Sequence, residues 1–144
     1  MVKEIWFDMD GTIADLYGVN GWLEDLIAEN TRPYAEAKPL INMNSLARIL
    51  NRLTKEGWKV NIISWTSKGG TEEYNNRVAE VKKAWLKKHL NSVKFENIDI
   101  VPYGTPKGEN RNGVLFDDEM QNRMAWNGMA LNVNNIIETL KEIA

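Results

Sequence analysis

The sequence predicts an α/β fold, a parallel sheet with helices on both faces. Three observations carry that expectation. Short apolar runs of strand length recur along the chain, helix-length segments with apolar residues three and four apart lie between them, and acidic residues stand at the ends of two of the runs. In such a sheet, ligands bind beyond the carboxyl ends of the strands.

The elements follow in order. Residues 4–8 (Glu-Ile-Trp-Phe-Asp) form a continuous apolar run closed by an acid, which suits a strand buried on both faces. From Asn44, Leu46, Ile49, Leu50 and Leu53 repeat at helical spacing, and Gly57 supplies the stop. A second strand is expected over 58–64, with Val60, Ile62 and Ile63. A long helix is expected over 71–90, with Tyr74, Val78, Val81 and Trp85 on one face and Lys82, Lys83, Lys87 and Lys88 mostly on others. Residues 98–103 and 113–117 read as further strands, 119–127 and 133–143 as helices, and 129–131 as a short strand between them.

Residues 16–39 break this rhythm. Trp22, Leu23, Leu26 and Ile27 predict one short amphipathic helix, followed by a loop through Asn30, Thr31, Arg32 and Pro33. This is a small cap-like insertion in a single domain spanning 1–144, a length that suits one core.

Composition narrows the chemistry. With no cysteine, disulfides, thiolate metal sites and cysteine nucleophiles are excluded. A net charge of −2 gives no global attraction to nucleic acid or anionic membranes. No apolar run is long enough to span a bilayer, and Lys3, Glu4 and Asp8 interrupt the apolar N-terminus, unlike a signal peptide. A cytoplasmic protein is expected, with no membrane partner.

Two acidic sites end apolar runs: Asp8-Met9-Asp10-Gly11-Thr12, and Asp117-Asp118 after Val-Leu-Phe. A parallel sheet gathers all four carboxylates at one rim, where they oppose one another's ionisation unless a cation joins them. Few ligands, all oxygen, suit Mg²⁺. Gly11 permits a turn that faces Asp8 and Asp10 toward one centre, so that one can attack phosphorus while the other protonates the leaving oxygen. Ser64, directly after Ile62-Ile63, is the preferred donor to a phosphate oxygen, with Thr66 its competitor. Lys107 is the preferred cation for phosphate and nucleophile together, with Lys68 and Arg111 as rivals. Asp15, Trp22 and Trp65 are candidate substrate contacts, and His89 reads as structural.

In this order, Asp8-Met9-Asp10-Gly11-Thr12, Ser64, Lys107 and Asp117-Asp118 resemble the four motifs of haloacid dehalogenase (HAD) superfamily phosphatases. The resemblance implies a Rossmann-like core, with Asp8 as nucleophile and Asp10 as general acid and base. It also implies Mg²⁺ held by Asp8, the Asp10 backbone carbonyl and Asp117, with Asp118 in or near the ligand shell. The acid at Asp10 favours phosphate chemistry over dehalogenation.

The opening through Asp15 resembles 5′(3′)-deoxyribonucleotidases, implying a nucleotide or similar small phosphate ester as substrate. A second resemblance is to the 3′-phosphatase half of phage polynucleotide kinases, carried by a strand ending in Ser and a basic helix containing Trp85-Leu86. That group has Gly-Arg after its Ser where this chain has Trp65-Thr66, so a nucleic-acid end ranks second. Rival readings of another class are a receiver-like signalling module and an inactive binding module. A receiver places its acidic pair before a lone acceptor Asp, the reverse of the order here.

Overall fold

The computed structural model describes residues 2–144. The chain runs β1 (Glu4–Phe7), β2 (Ala14–Asp15), α1 (Trp22–Ile27), α2 (Arg32–Glu36), β3 (Lys38–Pro39) and α3 (Met43–Lys55). It continues through β4 (Lys59–Trp65), α4 (Glu72–His89), β5 (Asn97–Val101), β6 (Val114–Phe116), α5 (Met120–Met124), β7 (Met129–Leu131) and α6 (Ile136–Ile143).

Five strands form one sheet in the order β5-β4-β1-β6-β7, every neighbouring pair parallel. The first strand lies at the centre, with successive strands added first on one side and then on the other. This is the Rossmann-like order, whose crevice opens beside the central strand where the direction of winding reverses. A receiver-like order would instead set the first strand between the second and third. That rival is excluded on topology.

The main core lies on one face, where Ile5, Phe7, Ile62 and Phe116 meet Leu46, Leu50 and Leu53 of α3, Trp85 and Leu86 of α4, and Ile136 and Leu140 of α6. Phe7 and Phe116 stack at 5.3 Å across the β1–β6 pair. Each such fully buried side chain contributes roughly 1.5–3 kcal/mol over its exposed state. The opposite face is covered more thinly, by Trp126 and the segment 102–113 over Trp6, Ile63 and Leu115. There the Trp6 indole donates to the Asn112 carbonyl at 3.0 Å and the Arg111 guanidinium lies over its ring.

Both long helices start where side chains satisfy their free N–H groups. Asn42 accepts from Ser45 N at the start of α3, and Thr71 accepts from Tyr74 N at the start of α4. Gly57 has φ 95°, the left-handed conformation that ends α3.

The insertion differs from expectation. The segment expected as a loop contains a second helix, α2, because Pro33 falls in its first turn, where a missing N–H costs nothing. The β2–β3 pair closes the base of the insertion. Among the described residues, no helix is long and apolar enough to cross a membrane.

Candidate active site

The site begins where β1 ends. Asp8 N donates to Phe116 O at 3.0 Å and Asp117 N to Leu131 O at 3.2 Å, so the two acids leave the sheet from neighbouring strands. After Asp8 the chain folds back sharply, with the N–H groups of Thr12, Ile13 and Ala14 all directed to Met9 O at 3.0 Å. Gly11, at φ 81°, makes this turn possible. The turn returns Thr12 Oγ1 to Asp8 Oδ2 at 2.9 Å.

Lys107 Nζ bridges the other Asp8 oxygen and Asp117, donating to Oδ1 at 2.9 Å and Oδ2 at 2.8 Å. All three side chains are nearly sealed from solvent. Burial works to strip the Lys107 proton, but Asp8 and Asp117 outweigh it and hold the ammonium above its ordinary range. Neither rival bridges these acids: Arg111 pairs with Asp99 at 3.0 Å, and Lys68, although it lines the cavity, lies over the Tyr103 ring.

One ammonium serves a cluster of three carboxylates. Oxygens of Asp8, Asp117 and Asp118 lie within 4.8 Å of one another. The imbalance appears in their protonation: burial, then the neighbouring Asp8, pushes Asp118 up to about 7 and raises Asp117 as well. A dense, oxygen-only donor set with more negative charge than its lysine neutralises fits a hard divalent cation.

Asp10 lies on the cavity side of the same loop, and burial raises its carboxyl while Lys82 opposes that rise. Here the sequence reading needs correction. Lys82 does not join the solvated lysines of α4 but is 1% exposed. Its Nζ donates to Asp10 Oδ2 at 2.8 Å, Ser64 Oγ at 2.8 Å and Trp65 O at 2.7 Å. Ser64 is therefore sealed beneath the site and does not line the cavity. Thr66 does line it, and its buried Oγ1 has no hydrogen-bond partner among the described residues.

The cavity measures about 540 Å³, with Asp8, Asp10 and Lys107 among its lining. One wall is the insertion, through Tyr17, Trp22, Leu23, Leu26 and Ile27. The other holds Trp65, Thr66 and Tyr103. Aromatic pairs stiffen both walls: Tyr17 against Trp22 at 5.0 Å, and Trp65 against Tyr103 at 4.8 Å. The apolar face of α1 points into this space, leaving Leu23 52% and Ile27 75% exposed.

Trp22 and Trp65 thus line the cavity, whereas Asp15 does not. Its Oδ1 accepts from Gly18 N at 3.0 Å, and it shapes the start of the insertion. The insertion is docked on α4: Glu29 accepts from Thr71 N and Oγ1, and Tyr74 Oη donates to Asn30 O. His89 packs against Trp85, away from the cavity.

Sequence reasoning missed Lys82, Tyr17, Tyr34 and Tyr103. For Lys82 a signal existed, since Tyr74, Val78 and Lys82 are spaced by four on the face that continues to Trp85 and Leu86. Tyr103 and Tyr17 lie outside regular elements, where no periodicity points to them.

No protein-family model matches the chain, and no curated protein matches it. Among solved structures there is a match. The chain shares its fold with a D,D-heptose 1,7-bisphosphate phosphatase from B. bronchiseptica. The superposition has a TM-score of 0.59 and covers 99% of this chain and 100% of that one, at 12% identity. That protein was crystallised with magnesium and phosphate. At this identity the shared property is the fold.

Proposed function

We propose that the chain is a Mg²⁺-dependent phosphomonoester hydrolase of the HAD type, working through an aspartyl-phosphate on Asp8. The observation that carries this reading is the placement of Asp8 and Asp10 on one cavity beside the oxygen cluster of Asp8, Asp117 and Asp118. The magnesium and phosphate in the structural neighbour support it further.

Asp8, Asp117 and the Asp10 backbone carbonyl would hold Mg²⁺, with Asp118 in or near the shell. When bound, the ion supplies positive charge to the phosphoryl oxygens and lets the acids ionise together. Lys107 and Thr12 each hold one oxygen of Asp8 and so orient the nucleophile. Lysine has three donors, and Lys107 spends two on Asp8 and Asp117, leaving one to turn toward a phosphate oxygen. Thr66 Oγ1 supplies a neutral donor for another; its missing partner supports this role over the buried Ser64. An Asp8 oxygen attacks phosphorus as the bond to the leaving oxygen breaks, and Asp10 gives that oxygen its proton. In the second half Asp10 takes a proton from the water that hydrolyses the aspartyl-phosphate, restoring both acids.

The substrate we propose is a nucleotide or similar small ester. The apolar and aromatic walls support a flat, weakly polar leaving group between Trp22 and Trp65. A nucleic-acid end is supported less, because Lys83, Lys87 and Lys88 do not line the cavity and Lys82 is internal.

The test is a hydrolysis screen over nucleoside monophosphates, sugar phosphates and 3′- or 5′-phosphorylated oligonucleotides, with Mg²⁺ or excess chelator. Mg²⁺-dependent turnover abolished by Asp8→Asn is expected, with mononucleotides preferred. Full activity in chelator, or near-normal turnover by Asp8→Asn, would overturn the mechanism. A large preference for oligonucleotides would overturn the substrate.

A further inference from the structure

Burying an ammonium in mid-helix is costly unless every donor is met. Lys82 meets that condition in full. It is 1% exposed, on the face of α4 between Val78 and Trp85, and each of its three N–H groups has a partner within 2.8 Å. No donor is left for a phosphate. This separates it from Lys107, which reaches the cavity with a donor unspent.

What Lys82 joins is informative. Asp10 belongs to the loop after β1, whereas Ser64 and Trp65 end β4 and lead directly to Thr66. Tyr34 of the insertion lies 5.1 Å from the ammonium, its ring facing the charge. Among the described residues, Lys82 is the sole side chain that donates to the Asp10 carboxylate.

We propose that Lys82 is a positioning residue, locking the Asp10 carboxylate at a set distance from the Thr66 end of β4. This deepens the hydrolase reading and rests on it, since its consequence is felt through proton transfer by Asp10. A displaced carboxylate still permits attack by Asp8, but it no longer meets the leaving oxygen. In the first half-reaction, which kcat/KM reports, leaving groups that depart without a proton are insensitive to that loss and those that need one are not, whereas loss of the base in the second half slows every ester alike in kcat.

The test compares Lys82→Met with the wild type on an aryl phosphate with a good leaving group (4-nitrophenyl phosphate) and on an alkyl phosphate, both with Mg²⁺. We expect kcat/KM on the alkyl ester to fall on the order of 100-fold. The aryl ester should change far less, and inhibition by inorganic phosphate should be unaltered. In the Asp10→Asn background, Lys82→Met should add little further loss, because the two residues act through one proton transfer. Lys82→Arg, which keeps the charge, should recover part of the alkyl rate. If Lys82→Met does not fold, Lys82→Gln carries the same comparison. An equal loss of kcat/KM on both esters, weakened phosphate inhibition, or additive losses with Asp10→Asn would overturn the inference while the hydrolase reading stands. A wild type inactive on both esters and throughout the wider screen would overturn the two together.

Discussion

Gly11 and Asp118 are in contact at a point where no side chain fits between them: a Cβ on Gly11 would stand 2.3 Å from Asp118 Oδ2. Gly11 also has φ 81°, outside the range an L-residue adopts without strain. One position therefore meets two demands, the turn that returns Thr12 to Asp8 and the room that lets Asp118 approach the acidic cluster. Gly11→Ala should cost about 1–2 kcal/mol in backbone conformation alone. It should also displace Asp118 and weaken Mg²⁺ binding. Thermal melting and metal titration check this, and a variant unchanged in both would show that neither demand is real.

Asp118 should make metal affinity at the proposed site sensitive to pH. With its carboxyl raised from 3.8 to about 7 by burial and then Asp8, the folded protein holds a proton that the unfolded chain has lost. Between those values the folded state binds more protons, so the metal-free protein should lose stability as pH rises across that window. A cation needs the ionised form, so Mg²⁺ affinity should fall as pH drops through about 7, with proton release on binding. Calorimetric titration in buffers of different ionisation enthalpy measures both. Affinity independent of pH across that window would remove Asp118 from any role near the ion.

Thr66 and Ser64 should separate cleanly. Thr66→Val removes a hydroxyl that has no partner among the described residues, so the fold should tolerate it, while inhibition by inorganic phosphate weakens on the order of tenfold. Ser64→Ala removes an acceptor from Lys82, so it should cost about 1–3 kcal/mol of stability with a smaller change in phosphate inhibition. The opposite pattern would return the phosphate contact to Ser64.

Much of this was legible in the sequence, for reasons that differ by residue. Asp8 and Asp117 stand out because apolar runs end abruptly in acids, and the strands 129–131 and 113–117 were visible as short apolar stretches between turn residues. The choice between Ser64 and Thr66 was harder because it depends on a boundary. Since β4 extends through Trp65, the first residue past the strand is Thr66 and Ser64 lies inside it. Lys82 was obscured by its neighbours: four lysines within seven residues read as one exposed set, although Lys82 alone shares the spacing of Tyr74 and Val78. The second helix of the insertion was obscured by Pro33, which breaks helices in their interior but not in their first turn.

The central place of β1 also bears on how the molecule is made. Phe7 pairs with Ile62 on one side and with Phe116 on the other, so one edge of the first strand waits for residues synthesised long after it. Domains fold during or after synthesis as their parts emerge, and pairings distant in sequence close late. Until β6 arrives, Ile5, Trp6 and Phe7 present an open edge, and Asp117 has not yet joined Asp8 and Lys107. The nascent chain is thus unable to complete its acidic cluster before nearly all of its sheet exists. Fragments ending before β6 should be both inert and prone to associate along that edge.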